Sequence, residues 1–131
     1  MTPTLKLVIY MALLTWLTLL AASLIRVKGW TFAGTMIAFG NRENLPAATA
    51  LAGRAERAAH NTLENFVLFA GIALVAHAAG ATSPNVAAGA TLFFWSRVLY
   101  VPVYFAGIVY LRTAIWGVSI IGLILIIKEI W

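Results

Sequence analysis

The run LVIYMALLTWLTLLAASLI, Leu7 to Ile25, holds 19 residues without a charge, set between Lys6 and the pair Arg26 and Lys28. A helix of that length reaches across the hydrocarbon core of a bilayer, about 30 Å thick. In that medium only helices and closed barrels keep every backbone N–H and C=O bonded. The run is longer than the apolar segment of a cleaved leader, so it is expected to be retained, although "AAS" at Ala21–Ser23 has the small residues of a cleavage site. The rest of the chain agrees. Of 131 residues, 63% are hydrophobic and 10% charged, whereas a soluble domain is about half apolar and a quarter charged. A chain this short cannot hide so much apolar surface from water, so the bilayer is its solvent.

Three more spans follow. Gly29 to Leu45 reads as a polar connection with the turn-like "GNREN", and Pro46 suits the first turn of a helix. From Ala47 to Ala79 only Gly53 and Gly71 interrupt the pattern, and membrane helices tolerate glycine. "GATSPN", Gly80–Asn85, is an uncharged turn, Gly107 marks the end of the next helix, and "KEIW" closes the chain. The expected fold class is all-α: one domain, 1–131, an integral-membrane four-helix bundle with spans near 5–26, 46–79, 86–108 and 112–128. Loop one carries Arg26, Lys28, Arg42, Arg54 and Arg57, the third turn leads to Arg112, and the second loop has no basic residue. The excess of Lys and Arg on one side predicts that loops one and three are cytoplasmic and both termini outside, with Lys6 and Lys128 as minor votes against.

The composition also excludes chemistry. There is no cysteine, hence no disulfide, thiolate metal site or cysteine nucleophile, and two histidines are too few for a metal centre. The net charge of +5 comes from scattered residues without a dense stripe, so no nucleic-acid partner is expected.

The charged groups that enter the spans are the candidate site. At 100° per residue, Arg54, Arg57, His60, Asn61 and Glu64 fall within a stripe about 120° wide, and Arg97, Tyr100 and Tyr104 share a face of the third span. Ionisable groups within a span are expensive unless paired or wetted and mark function by default. The competing reading is a structural ion pair, Arg57 or Arg97 with Glu64. It explains the set less well, because Arg54, Arg57, Arg97 and Arg112 face only Glu56 and Glu64. Surplus guanidinium points to an anionic ligand held by paired hydrogen bonds. His77, on the far side of its helix, reads as packing, the five tryptophans as interfacial anchors, and Ala70, Ala73, Ala76 and Gly80 as a close-packing surface. Pro102 is expected to kink the third span.

"RAERAAHNTLENF" followed by "FFWSRVLYVPVYFAGIVYLRTAIW" resembles the superfamily of membrane-associated proteins in eicosanoid and glutathione metabolism (MAPEG). The likeness runs from about Arg42 to Trp116 and rests on the arginine-to-asparagine-to-glutamate run, an arginine with two tyrosines, and an arginine before the last span. The resemblance implies a homotrimer, a bacterial-type microsomal glutathione transferase-like member in a bacterial inner membrane, and a site between protomers facing the cytoplasm. Glutathione is the implied co-substrate and a hydrophobic or lipid electrophile its acceptor, with peroxidase activity as a variant. By the same likeness Glu64 takes the ammonium and Asn61 the peptide or a carboxylate. Arg57, Arg97 and Arg54 hold carboxylates, and Tyr100 and Tyr104 line the pocket. Arg112, with Thr113 beside it, stabilises the thiolate, since a nearby cation favours the charged form of a thiol. His60 stands where better-known members often carry arginine, and the spacing from Tyr104 to Arg112 varies within the family. Two other classes stay open at this point: a non-catalytic lipid- or partner-binding protein on the same scaffold, and a small transporter, which lacks the expected repeat symmetry and broken helices.

Overall fold

The computed structural model describes residues 1–131 and is all-helical. Helix α1, Pro3–Val27, starts at Thr2, whose hydroxyl accepts from Leu5 N, with Pro3 in the first turn. It ends at Lys28, which turns left-handed at φ 54°. α2 is short, Phe32–Phe39. α3, Ala50–Ala78, is capped by Thr49, and α4, Pro84–Ala106, by Ser83 with Pro84 behind it. α4 stops at Gly107, where φ is +80°, a conformation that glycine adopts freely. α5 is Val109–Ile127. α1, α3, α4 and α5 are each long and apolar enough to cross a membrane.

The boundaries differ from expectation in three places. The second span begins at Ala50 and not near 46, because the Thr49 hydroxyl accepts from Ala52 N and nucleates the helix there, leaving Pro46 outside. The last span begins at Val109, so Arg112 sits in its first turn and not ahead of it. The connection 29–45 holds α2, capped by Thr31. α4 runs through Pro102 without interruption.

α4 pairs most closely with α5 and α1 with α3, and the pairs meet where α4 crosses α3 and α1. α4 and α5 come together at Gly89 and Gly122: a Cβ built on Gly122 would lie 2.6 Å from the Gly89 carbonyl oxygen. Glycine is required there because backbone meets backbone. α3 buries a line of small residues, Ala52, Ala55, Ala58, Ala59, Ala73 and Ala76, which lets its neighbours come close. One apolar core gathers Met11, Phe69, Val86, Phe93, Leu123 and Ile126, with the Phe69 and Phe93 rings stacked at 4.4 Å. Hydroxyls buried in the spans bond back along their own helices, as Thr15 does to the Met11 carbonyl and Ser96 to that of Leu92. Each of these hydroxyls is thereby paired within its own helix.

The antiparallel helices sort the charges. Six of the nine basic residues, Arg26, Lys28, Arg42, Arg54, Arg57 and Arg112, gather at the end that holds α2. α3, with 29 residues, is about 43 Å long at 1.5 Å per residue. It exceeds the hydrocarbon core, so its arginine-bearing first turns stand in the headgroup region at that end.

Candidate functional site

The site starts from a buried cation. Arg97, on α4, has no exposed surface. Its Nη2 donates to Asn61 Oδ1 at 2.8 Å and to Thr62 Oγ1 at 3.2 Å, both across the interface with α3. Its Nε and Nη1 have no partner. A buried guanidinium with two idle nitrogens is costly. It is held partly by the face of Tyr100, whose ring centre lies 4.0 Å from Cζ. Tyr100 meets Tyr104 edge-on at 5.5 Å, one turn further along α4. Arg112, from the first turn of α5, places its Cζ 4.3 Å from the Tyr104 ring centre. The result is a ladder, Arg97–Tyr100–Tyr104–Arg112, that runs from the protein interior to the basic end.

Asn61 is the hinge between this ladder and α3. Its Oδ1 accepts from Arg97 and also from Asn65 Nδ2, at 3.3 Å. Asn65 Nδ2 donates as well to the Asn61 carbonyl, at 2.9 Å. The Asn61 carbonyl-type oxygen is therefore occupied within the protomer, and what it can offer a ligand is its Nδ2, a donor for a carboxylate or peptide carbonyl. Thr62 and Asn65 were not among the residues singled out from the sequence. Both are uncharged, and a search led by ionisable groups passes over them. Position Asn65 follows Asn61 by four, however, which is one helical turn on the same face.

The remaining sequence-predicted residues take other positions. Arg54 Nε donates to the Phe105 carbonyl at 2.8 Å, and its chain lies against Gly107. It closes the C-terminal end of α4, where carbonyls lack helical partners. Arg57, His60 and Glu64 are exposed on α3. Arg57 folds back over Gly53, whose added Cβ would meet Nη1 at 3.2 Å. His60 borders a recess of about 240 Å³ between α1 and α3, with Arg26, Arg42 and Glu56. Arg42 there donates to Ser23 Oγ at 2.8 Å. Thr113 is exposed, and its hydroxyl donates to the Val109 carbonyl at 3.2 Å. The structural ion pair weighed for Arg97 does not form: its bonds go to Asn61 and Thr62.

Thus the protomer joins Asn61, Arg97, Tyr100, Tyr104 and Arg112 into one arrangement. It presents Arg57, His60 and Glu64 outward from the same stretch of α3. The sequence matches the MAPEG family over residues 4–130. The chain belongs to the MAPEG family. No curated protein and no solved structure matches it. Membership and the four apolar helices make it an integral membrane protein. They are consistent with glutathione-related transferase or peroxidase chemistry, or with eicosanoid metabolism, as the MAPEG name has it.

Proposed function

We propose that this MAPEG protein is a membrane glutathione transferase, with peroxidase activity as a variant of the same chemistry. The observation that carries the reading is the ladder Arg97–Tyr100–Tyr104–Arg112, in which a buried guanidinium has two donors without partners. That arrangement suits a ligand that brings carboxylate oxygens deep and a thiol shallow. Arg97 and the Asn61 amide nitrogen hold the peptide's acidic groups, and Glu64 takes the ammonium. Arg57, exposed beside it, adds a second carboxylate contact. Tyr100 and Tyr104 form the wall. Arg112 lies at the mouth, and its charge favours the thiolate. The thiol proton leaves to solvent, the sulfur forms a bond to an electrophilic carbon, and the acceptor's leaving group departs with its electron pair. The protein supplies charge stabilisation and proximity.

Arg57, His60 and Glu64 are exposed in their own protomer, and Glu64, past the arginine-bearing first turns of α3, would otherwise set a charge against lipid. Their exposure supports a homotrimer in which a neighbouring copy completes each site. The basic end faces the cytoplasm of a bacterial inner membrane in this reading, following the positive-inside rule. The electrophile is hydrophobic and reaches the site from the bilayer.

The test is glutathione binding to the detergent-purified protein, with the ultraviolet absorbance of the thiolate recorded near neutral pH. Binding with a thiolate signal is expected. Binding without it replaces the enzyme by a non-catalytic ligand-binding protein on this scaffold, and no binding removes the glutathione reading altogether.

A further inference from the structure

α2 is firmly built, yet its apolar side faces nothing in the protomer. The corner that holds it is densely bonded. Thr31 Oγ1 donates to the Lys28 carbonyl at 2.8 Å and accepts from Gly34 N at 3.0 Å, and Thr35 Oγ1 donates to the Gly29 carbonyl at 3.0 Å. Gly34 is buried against the end of α1, and a Cβ added to it would lie 2.0 Å from the Lys28 carbonyl oxygen. One side of α2 is thereby seated on α1. Phe32, Met36 and Phe39 recur four and three residues apart, which puts them on one helical stripe about opposite Gly34. Phe32 is 84% exposed, Met36 60% and Phe39 86%, and Trp30, in the corner, is 70% exposed.

The position of this stripe selects its partner. The corner follows directly on the apolar run that ends at Ile25, so α2 lies at headgroup depth, where aromatic side chains collect. The cations beside α2 are Arg26, Lys28 and Arg42; Glu43 follows Arg42, and Glu56 shares the recess of Arg26 and Arg42, so Lys28 is the exposed cation without a carboxylate beside it. A second copy of this chain would offer α2 the same arginine-rich end, which repels these cations. An anionic lipid surface attracts them.

We infer that α2 is an interfacial helix that docks on anionic phospholipid at the basic end of the bundle. Phe32, Met36, Phe39 and Trp30 enter the headgroup–acyl boundary, and the exposed Lys28 meets lipid phosphate. The inference is independent of the glutathione reading, because it rests on α2 and the membrane spans alone.

The chain has no cysteine, so Met36→Cys places a unique thiol for an environment-sensitive dye, with Asn44→Cys as the control. The full chain is reconstituted in phosphatidylcholine vesicles, with or without phosphatidylglycerol, each carrying a nitroxide at headgroup depth. The dye at position 36 is expected to be quenched about twofold more than at 44, and phosphatidylglycerol is expected to increase that quenching unless Lys28→Gln is also present. Equal quenching at the two positions overturns the docking. Quenching that ignores phosphatidylglycerol overturns the anionic partner. Efficient disulfide cross-linking between copies of unlabelled Met36→Cys assigns the stripe to a second copy and also overturns the proposal.

Discussion

The two ends of this bundle solve burial in opposite ways. At the end that holds the chain termini, apolar side chains fill the space, Phe69 stacks on Phe93, and α4 and α5 touch through Gly89 and Gly122. Toward the other end α3 and α4 hold Arg97, Asn61, Thr62 and Asn65 between them, and leave two guanidinium nitrogens unmatched. Close packing needs no ligand to be complete. The polar end retains an unfavourable buried charge that a bound anion would offset. A rule of this contrast is that mutations at the apolar end should act on stability, and those at the polar end on binding and chemistry.

The largest departure expected under that rule is Arg112→Ala. Arg112 touches only the edge of the polar end, against Tyr104, so the fold should survive its removal. Turnover should fall roughly ten- to a thousandfold if the contact gives the thiolate about 1.4–4 kcal/mol. Glutathione affinity should fall much less. Thiolate absorbance and a generic aryl-halide assay measure both. A full thiolate signal in the variant would move the activating role to Arg97 or Tyr100.

Arg97→Met tests the buried charge itself. An apolar side chain of similar length removes the cost of burying an incompletely paired ion, so the fold should lose little stability or gain some. Loss of a charge-assisted hydrogen bond to a carboxylate should weaken glutathione binding roughly ten- to a hundredfold, from about 1.5–3 kcal/mol. A rise or no change in thermal midpoint, together with lost binding by calorimetry, is the expected pattern. Marked destabilisation would mean that Arg97 holds α3 to α4 and is not poised for a ligand.

Gly122→Ala reverses the logic. The new methyl group would meet the Gly89 carbonyl oxygen at 2.6 Å and Phe93 N at 2.9 Å, both backbone atoms that cannot rotate away. The helices must part, at a cost of about 1–3 kcal/mol. The thermal midpoint should drop, while glutathione affinity in the folded fraction stays close to wild type. A matched loss of affinity would show that the two ends are mechanically coupled.

The same contrast explains what the sequence disclosed. The spans were legible because lipid imposes long uncharged runs such as Leu7–Ile25, and the resemblance from Arg42 to Trp116 proved to lie within a family match over nearly the whole chain. The sharing of a face by Arg97, Tyr100 and Tyr104 followed from helical periodicity alone, and all three are buried. Periodicity could not say which nitrogen of Arg97 would be used, nor that Thr62 and Asn65 would complete its surroundings, because those depend on the crossing of α3 and α4. The Gly89–Gly122 contact joins residues from two helices, and glycine in a membrane helix is too common to point to its partner. α2 was hidden for another reason: its helix is seated by Gly34 and a threonine-capped corner, features that read as a loop until the end of α1 is beside them.

The smallest expected effect belongs to the apolar end's one named polar clasp. Asn85 Nδ2, in the first turn of α4, donates to Glu129 Oε1 at 2.8 Å, just past the end of α5. The bond to Asn85, and then a contact with Ser83, hold the Glu129 carboxyl below its ordinary range. A carboxyl with a depressed folded-state pKa adds stability that is fully present above its unfolded-state pKa. That stability is lost as the pH falls through the folded-state value. Near neutral pH the wild type should therefore melt slightly above Glu129→Gln, by a small margin because the group is solvent-exposed. The difference should narrow on acidification below the ordinary carboxylate range and vanish once the folded-state carboxyl is protonated. Thermal unfolding in detergent, scanned from neutral to acid pH for both chains, measures it. A difference that stays constant with pH would mean that the clasp acts through its neutral hydrogen bond alone, and that the apolar end is stabilised without help from charge.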